Sequence, residues 1–325
     1  MTTAAILGSS GYSGQETLDR VLAHPELELV ALGSDSLAGE GAAALDPRLN
    51  GNLPPFVTND EAAAAGADVL FCCLGHEAAA AFEPPDDAIV VDLSGAHRLR
   101  EAALYPSWYG FEHPAPESLA QWSYALPEHG PVAGRLLANP GCYATAALLA
   151  LAPLVDAIDP SSVVVDAKSG VSGAGRALKP SSHAGFVLEN VSAYRVGTHQ
   201  HAPELEQELG FPVCFVPHLL PVRRGLLATC YVEPLEDLRP LLEAAYATSP
   251  AVRVLPEGLQ PELSRVQHTD AAEIALFSDR STGRAVVVCV IDNLGKGAAG
   301  NAVQNANLAL GLDETAGLRL TGVLV

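Results

Sequence analysis

The sequence is short of positive charge and contains no long hydrophobic run. Its 325 residues include 18 Lys and Arg against 38 Asp and Glu, which gives a formal net charge of −20 at pH 7. This shortage argues against a sequence-independent affinity for nucleic acid or for an anionic membrane surface. The apolar stretches are shorter than a membrane span, and the opening Met1-Thr2-Thr3 leads into a strand-like run without a basic leader segment. We therefore expect a cytoplasmic protein that binds neither nucleic acid nor membrane.

Cysteine is also scarce, and its spacing fits neither a disulfide framework nor a metal site. The six cysteines stand at positions 72, 73, 142, 214, 230 and 289, without a CxxC pair. This usage predicts a reduced intracellular protein that holds no metal ion. Hydrophobic residues make up 49% of the chain, which is long enough and apolar enough for two domains with separate cores.

A glycine-rich turn stands between a predicted strand and a predicted helix near the start of the chain. Residues 4–8 are a short apolar run, residues 8–14 are GSSGYSG, and residues 17–24 have an amphipathic helical pattern. This order is typical of a dinucleotide-binding fold, in which the pyrophosphate lies on the helix N-terminus. Because the spacing is GxxGxxG rather than GxGxxG, a purely structural turn is the alternative. Asp35 follows the strand predicted at residues 27–32, about twenty residues beyond the glycines, where such folds contact the ribose.

The two halves of the chain differ in their pattern of elements. In the first half, apolar strands at residues 69–74 and 89–93 alternate with helical stretches at 62–65 and 77–82, which predicts a doubly wound parallel sheet. The second half predicts an α+β domain with a largely antiparallel sheet. Its predicted strands are residues 163–167, 213–216, 226–232 and 285–291, and its predicted helices are 235–248 and 297–310. The last of these helices comes too late to belong comfortably to that sheet.

Cys142 follows a tight turn and precedes a helix in the predicted structure. Pro140 and Gly141 form the turn, and the Ala/Leu-rich run at residues 144–155 has helical spacing. The unpaired N–H groups and the dipole of a helix N-terminus stabilise a thiolate, which is the nucleophilic form of cysteine. This position favours Cys142 as a nucleophile, while the alternative is a small buried residue without chemistry.

Two imidazoles and a carboxylate lie close together in the segment THQHAPE. His199 and His201 would share a face of an extended segment, which would suit a metal ion, but the other ligands of such a site are missing. An acid–base role is more economical, because histidine exchanges protons near neutral pH and a thiol nucleophile needs such a partner. An exposed polar loop without a special role is the remaining alternative.

Two further segments carry an arginine beside small or hydroxyl-bearing residues. Residues 169–176, SGVSGAGR, end on Arg176, which is suited to pairing with a carboxylate or a phosphate. Residues 92–98, DLSGAHR, follow a predicted strand at the edge where open α/β sheets bind ligands, and they end on Arg98. The alternatives are a flexible loop for the first segment and a surface ion pair for Arg98.

In order along nearly the whole chain, these segments resemble the N-acetyl-gamma-glutamyl-phosphate reductase family, a relative of aspartate-semialdehyde dehydrogenase. The resemblance also uses PHLLP at residues 217–221, RRG at 223–225 and DNLGKG at 292–297. It implies reduction of N-acetyl-L-glutamyl 5-phosphate to the 5-semialdehyde in arginine biosynthesis, with NADPH as the reductant. Cys142 is then the nucleophile and His201 the acid–base catalyst.

The same resemblance implies the domains, binding residues and partners. A Rossmann-type domain spans residues 1–141 and is completed by 297–325, and a catalytic and dimerisation domain spans 142–296. The implied substrate-binding residues are Ser94, Arg98, Asn139, Ser169, Arg176, His199 and Glu204. The implied cofactor-binding residues are Gly8, Ser10, Gly11, Tyr12, Ser13, Gly14, Ser34, Gly75, Ser172, Gly173 and Asn293. We expect a homo-oligomer, a dimer or a tetramer, that acts on a small molecule.

Two segments depart from the usual sequence of this family. Asp35 stands where an Arg commonly binds the 2′-phosphate of NADP, and Glu40 where a Lys is common, so that NAD is not excluded as the cofactor. The usual Ser-Ala-Asp-Phe-Arg turn appears as Ser-Gly-Ala-His-Arg at residues 94–98, which keeps the Ser and the Arg but loses the Asp.

Two other functions compete with this interpretation. The first is the related reductase of lysine biosynthesis, which acts on an aminoadipyl phosphate attached to an acidic carrier protein. The Asn-Pro before Gly141 and the net charge of −20 both disfavour it, since an acidic carrier prefers a basic surface. The second is a non-catalytic dinucleotide sensor, which the presence of both Cys142 and His201 disfavours.

Overall fold

The structure is a computed structural model that describes residues 1–49, 51, 53–177, 180 and 183–322. It divides into two compact units, Met1–Pro140 with Ala298–Leu318, and Gly141–Gly297 with the described residues from Arg319 onward. Within the described residues, no helix has both the length and the apolar character needed to cross a membrane.

The helices and strands have the following bounds. The strands are β1 Thr2–Leu7, β2 Leu27–Gly33, β3 Phe56–Val57, β4 Val69–Cys72, β5 Ile89–Asp92, β6 Ser123–Tyr124, β7 Leu136–Ala138, β8 Ile158–Gly170, β9 Ser192–Ala193, β10 Cys214–Leu220, β11 Leu226–Pro234, β12 Val252–Val254, β13 Ala272–Ser278 and β14 Ala285–Ile291. The helices are α1 Tyr12–Ala23, α2 Asn59–Ala63, α3 His76–Ala80, α4 Tyr105–Trp108, α5 Cys142–Leu151, α6 Ala184–Val187, α7 His201–Leu209, α8 Arg239–Tyr246, α9 Leu263–Val266 and α10 Gly300–Leu310.

The first unit is built on a parallel sheet in the strand order β3-β2-β1-β4-β5-β7-β6. Alternate side chains of β1 enter two different cores, because successive residues of a strand point to opposite faces of the sheet. Ile6 packs in a core with Leu18 of α1 and Val303 of α10, whereas Leu7 packs in a core with Ala79 of α3. The sheet is therefore covered on both faces, and the predicted doubly wound architecture is confirmed.

The second unit contains a mixed sheet in the order β12-β13-β14-β11-β8-β10-β9. The β8–β10 and β12–β13 pairs are parallel, and the other neighbouring pairs are antiparallel, so the predicted largely antiparallel sheet is confirmed. Helix α5 packs against β11, β14 and α7. Its residues from Tyr143 to Leu151 are all buried, which explains why it is apolar on every side.

Some helix boundaries differ from the predictions because a capping box or a proline fixes where the helix begins or ends. Helix α2 begins earlier than predicted, because Thr58 and Glu61 form a reciprocal capping box. Helix α5 ends at Leu151 and continues as a short 3-10 turn, since Pro153 cannot donate the next helical hydrogen bond. The last helix was predicted from residue 297, but a π-helical turn, Gly295–Ala299, precedes α10.

The end of the described chain belongs to the second unit. The predicted first domain included all of residues 297–325, whereas the unit division places only Ala298–Leu318 with the first unit. Arg319 pairs with Asp270 of the second unit through two backbone groups. The Arg319 N–H donates to Asp270 Oδ2 at 2.8 Å, and the Asp270 N–H donates to the Arg319 carbonyl at 2.7 Å. This tether involves residues far apart in sequence, which the local pattern could not show.

Candidate active site

Cys142 is the first residue of α5, as the sequence predicted, and its side chain is half-buried. Gly141 caps the helix with an extended backbone at φ −70° and ψ 149°. A Cβ added at Gly297 would lie 2.9 Å from the Cβ of Cys142, so only glycine fits there without displacement. The sulfur thus stands at the positive end of a ten-residue helix, in a position that stabilises a thiolate.

Glu204 holds the turn that precedes the cysteine. It lies in the first turn of α7, its side chain is fully buried, and its Oε1 accepts the Gly141 N–H at 2.7 Å. A bond from a backbone N–H to a carboxylate is among the stronger hydrogen bonds in proteins. The structure therefore places this carboxylate oxygen on the backbone beside Cys142, rather than towards open space where a substrate would lie.

His199 and His201 lie together against the residue that follows the cysteine. Their ring centroids are 4.7 Å apart, and the Tyr143 ring is 5.5 Å from His199 and 5.8 Å from His201. The Tyr143 hydroxyl donates to the His218 carbonyl at 2.9 Å and accepts from the Tyr194 hydroxyl at 3.2 Å. Sequence reasoning missed both tyrosines, although the position of Tyr143 directly after Cys142 was a signal.

His199 is a neutral imidazole held by the backbone. Its Nδ1 accepts the His201 N–H at 3.2 Å, which places the ring proton on Nε2 and leaves no Nδ1 lone pair for a metal ion. Burial, and next the charge of Arg195, lower the pKa of His199 to about 3. Such a group cannot exchange protons near neutral pH, so within this pair only His201 suits an acid–base role.

The low pKa of His199 leads to a prediction about how the free energy of unfolding depends on pH. Because the folded pKa of about 3 lies below the ordinary value of 6.5, unfolding takes up a proton between these two pH values. The free energy of unfolding should therefore fall as the pH drops from 6.5 towards 3, with a His199 contribution of up to about 1.4 kcal/mol per pH unit. His199→Asn keeps an acceptor for the His201 N–H and should flatten this part of the curve in urea unfolding.

His183 supplies a matched control for that experiment. Its exposed side chain also accepts a backbone N–H through Nδ1, from Gly185 at 3.2 Å. His183→Asn should leave the pH dependence of unfolding as it is in the wild type. An unchanged slope in the His199→Asn protein would show that His199 is not the group that titrates.

Arg98 and Asn139 meet at the carboxyl ends of neighbouring strands in the first unit. Arg98 is buried, its Nε donates to the Asn139 carbonyl at 2.8 Å, and its Nη2 donates to the Leu93 carbonyl at 2.9 Å. The Asn139 side chain is engaged with the α10 segment: its Oδ1 accepts from Asn301 at 2.9 Å and from Asn305 at 3.1 Å. The structure thus gives Asn139 a supporting position beside Arg98. The i, i+4 spacing of the two α10 asparagines was the available signal.

Four of the second-unit residues predicted to bind ligands lie close together, namely Ser169, Ser172, Gly173 and Asn293. The Asn293 amide donates to the Ser172 hydroxyl at 3.0 Å, and its oxygen accepts the Gly225 N–H at 2.8 Å. Ser169 is buried, and a Cβ added at Gly173 would lie 3.0 Å from its Oγ. Arg176 is exposed, in contrast to the buried members of this group.

The glycine turn of the first unit is packed so closely against the protein backbone that two of its positions have no room for a side chain. Gly8 has φ +68°, and a Cβ there would lie 2.5 Å from the Cys73 carbonyl oxygen. A Cβ at Gly14 would lie 2.4 Å from the Gly8 oxygen, so both positions require glycine. Gly11 then caps α1, whose first turn carries Tyr12 and Ser13. The turn and the helix start together form a cradle suited to a pyrophosphate.

Other predicted cofactor residues lie at the same edge of the sheet. Ser34 follows β2 and donates from its hydroxyl to Ser10 Oγ at 2.9 Å, while Ser36 Oγ is 3.3 Å away from it. Gly75 follows β4 and caps α3. The carboxyl ends of β1, β2 and β4 therefore bring the predicted first-unit residues to one edge, where parallel sheets bind nucleotides.

Asp35 is turned towards α2. Its Oδ1 accepts the Asn59 N–H at 2.9 Å, and its Oδ2 accepts the Asn59 side-chain amide at 2.8 Å. Asn59 in turn accepts the Gly8 N–H at 2.8 Å, and a Cβ at Gly33 would collide with it at 2.8 Å. Both carboxylate oxygens of Asp35 thus support the glycine turn through Asn59, a residue that the sequence reasoning missed.

Two family models match the chain and together span most of its length. The semialdehyde dehydrogenase NAD binding domain matches residues 3–133, and the semialdehyde dehydrogenase dimerisation domain matches residues 142–293. Among solved structures, aspartate semialdehyde dehydrogenase II of Vibrio cholerae, complexed with ASA, is similar at a TM-score of 0.72 and 18% identity, covering 95% of this chain and 98% of that chain. Aspartate semialdehyde dehydrogenase of Candida albicans, with NADP, has a TM-score of 0.61 at 17% identity, covering 95% and 98%. These likenesses show the fold.

Relatives of higher identity carry one shared name. The N-acetyl-gamma-glutamyl-phosphate reductase of Salinispora tropica is 44% identical over 98% of each chain. The protein of that name from Desulforudis audaxviator is 43% identical over 99% of each chain. The chain therefore belongs to the N-acetyl-gamma-glutamyl-phosphate reductase family, whose two domains are those of the semialdehyde dehydrogenases.

Proposed function

We propose that the protein reduces N-acetyl-L-glutamyl 5-phosphate to N-acetyl-L-glutamate 5-semialdehyde, with NADPH as reductant and release of phosphate, as a step of arginine biosynthesis. The observation that carries the proposal is the position of Cys142 at the start of α5, in a chain that matches reductases of this name over nearly its full length. A helix start of this kind activates a thiol for attack on an acyl phosphate.

The chemical steps assign distinct tasks to the two catalytic residues. The Cys142 thiolate attacks the carbonyl carbon of the acyl phosphate, and the C–O bond to phosphate breaks, which leaves a thioester. A nicotinamide dinucleotide held by the first unit would supply the hydride for reduction of this thioester to a thiohemiacetal. His201 donates a proton to the developing alkoxide and takes it back as the C–S bond breaks, which releases the aldehyde and the thiolate.

Two arginines supply charge for the anionic groups of the substrate. Arg98 and Arg176 hold its phosphate and its carboxylate, since the guanidinium group binds either of these in bidentate geometry. Ser94 lies beside Arg98 in the same turn. Glu204 acts through the Gly141 N–H, which its carboxylate accepts, and the backbone carbonyl of Asn139 accepts the hydrogen bond from the Arg98 side chain.

The residues at the edge of the first sheet fit a dinucleotide, and the proposal extends to NADP as the preferred one. The cradle at Gly8 and Gly14 suits the pyrophosphate. The hydroxyls of Ser10, Ser34 and Ser36 form a cluster that can donate to a 2′-phosphate without an arginine. Because both oxygens of Asp35 accept hydrogen bonds from Asn59, fewer of its lone pairs remain for the ribose hydroxyls of NAD.

This reading predicts the cofactor preference of two variants. Ser34→Ala should lower kcat/KM for NADPH by about tenfold, the value of one good hydrogen bond to a charged group, and should change kcat/KM for NADH far less. Ser36→Ala is the matched control, because Ser36 is exposed whereas Ser34 is buried, and its effect should be smaller. Asp35→Arg should not increase the preference for NADPH. A wild type that prefers NADH and an Arg variant that turns to NADPH would contradict the assignment.

One assay tests the proposed function against its competitors. The protein is given NADP⁺, inorganic phosphate and either N-acetylglutamate semialdehyde or the aminoadipate semialdehyde attached to its carrier protein, and formation of NADPH is followed. We expect turnover with the acetylated substrate that requires phosphate. Turnover with the aminoadipyl substrate alone would indicate the lysine-pathway enzyme, and binding of NADP⁺ without any turnover would indicate a sensor.

The proposal includes the location and assembly of the protein. We place residues 1–140 with 298–318 in the cofactor domain, and residues 141–297 with the described residues from Arg319 onward in the catalytic and dimerisation domain. The second of these carries the match to a dimerisation domain, which supports a homodimer or a homotetramer. The substrate is a small cytoplasmic metabolite. Sedimentation equilibrium at several protein concentrations would measure the assembly state.

A further inference from the structure

Asp92 is a fully buried carboxylate at the end of β5 that accepts three hydrogen bonds. Its Oδ1 accepts the Ser94 N–H at 2.8 Å, and its Oδ2 accepts both the Ser94 hydroxyl at 2.9 Å and His97 Nδ1 at 2.7 Å. Burial alone would raise the pKa of Asp92, but the hydrogen bond and charge of His97, with the two bonds from Ser94, outweigh it and lower that pKa. The carboxylate is therefore ionised, and His97 Nδ1 carries the proton that joins the two side chains.

The face of the His97 ring is fixed by an aromatic stack. It lies on the Trp122 ring at a centroid distance of 3.8 Å and an interplanar angle of 13°, and its side chain is 3% exposed. An imidazole bonded at its edge and stacked on its face has little freedom to rotate. The backbone runs from this fixed residue directly into Arg98, whose guanidinium donates to the carbonyls of Asn139 and Leu93.

Two other histidines fix the backbone between Ser94 and His97. The Gly95 N–H donates to His76 Nδ1 at 2.8 Å, and His113 Nε2 donates to the Ala96 carbonyl at 3.0 Å. The His113 ring also accepts a backbone N–H through Nδ1, so that it is neutral in this arrangement. The whole turn is thus a preorganised element, and the His97–Asp92 bond joins two oppositely chargeable side chains within it.

We propose that His97 is a positioning residue of the substrate's anion site: its bond to Asp92 fixes the turn that presents Ser94 and Arg98. This inference rests on the proposed function, which assigns Arg98 to the phosphate or the carboxylate of the substrate. Without the Nδ1 proton, the buried Asp92 carboxylate keeps only its hydrogen bonds from Ser94. These bonds do not offset the cost of burying its charge, so the side chain rotates or takes up a proton. Either change releases the turn and weakens anion binding, while the chemical step does not use His97.

The variants His97→Phe and His97→Asn separate the hydrogen bond from the stacking. His97→Phe keeps a ring against Trp122 and removes the donor; it restores the usual family residue without the Asp that accompanies it there. In the phosphorylating direction, it should raise KM for inorganic phosphate or for the semialdehyde by about tenfold, with kcat within about threefold of the wild type. His97→Asn places an amide donor near the position of Nδ1 and should return that KM to within about threefold of the wild type.

The result can overturn this inference without overturning the proposed function. Wild-type KM values in His97→Phe, or the same KM rise in His97→Asn, would show that the hydrogen bond does not position the site. If His97→Phe does not fold, Asp92→Asn removes the carboxylate that His97 Nδ1 bonds to, and wild-type KM values there would be equally negative. Arg98→Lys tests the assignment on which this inference depends, that Arg98 binds an anionic group of the substrate. If this variant leaves both KM values unchanged, the anion role of Arg98 in the proposed function is wrong.

Discussion

Replacement of Cys142 by serine should reduce turnover by at least about 10⁴-fold, the order of loss seen when a covalent nucleophile is removed. The helix start can hold a thiolate near neutral pH, but it cannot deprotonate a serine hydroxyl. Serine is smaller than cysteine, so it fits beside Gly297 without displacing the backbone. Binding of NADPH, measured by fluorescence titration, should therefore remain as in the wild type, since the change touches only the nucleophile.

The other cysteines supply controls for this result. Cys214 is the exposed one, and Cys214→Ser should retain wild-type turnover. Burial raises the pKa of Cys73 and of Cys230 to about 12, so that both thiols should resist iodoacetamide. We expect Cys142 to be labelled faster than Cys214, despite its lower exposure. Wild-type turnover in Cys142→Ser, or preferential labelling of Cys214 with activity retained, would exclude Cys142 as the nucleophile.

The parts of the site that could be predicted from the sequence are those fixed by neighbours in the chain. Pro140 and Gly141 before an apolar helical run place Cys142 at the start of α5, because a turn followed by helical spacing is a local signal. The glycines of the first turn were recognised for the same reason. Gly8 needs a positive φ, and a side chain at Gly14 would strike the turn itself, so both requirements lie within one short segment.

The parts that could not be predicted depend on partners distant in sequence. Asp35 was placed by its spacing from the glycines, yet its carboxylate is bonded to Asn59, 24 residues further on. Asn139 was assigned to the substrate, yet its side chain accepts from Asn301 and Asn305, more than 160 residues away. The position of a residue at a sheet edge is a local property, whereas the direction of its side chain depends on which distant donors the fold brings to it.

What the sequence can predict is limited even for His199 and His201, which are only two residues apart. As an extended segment they would share a face, and either could then act on the substrate. The structure instead starts α7 at His201 and turns Nδ1 of His199 onto the His201 N–H. His199 is thus a buried neutral support, which is why the proposed proton transfer is assigned to His201. The different roles of the two histidines follow from burial and backbone geometry, which cannot be inferred from their two-residue spacing.

His201→Asn should therefore lower kcat by about 10² to 10⁴-fold, the usual value of a positioned general acid–base group. Asparagine keeps the backbone N–H that His199 accepts and a polar side chain of similar reach, but it has no proton to exchange. The loss should appear in both directions of the reaction, because the group that protonates the alkoxide must also deprotonate it. NADPH binding should be unchanged. His199→Asn is the matched comparison, and a larger loss of kcat there than in His201→Asn would reverse the assignment of the two histidines.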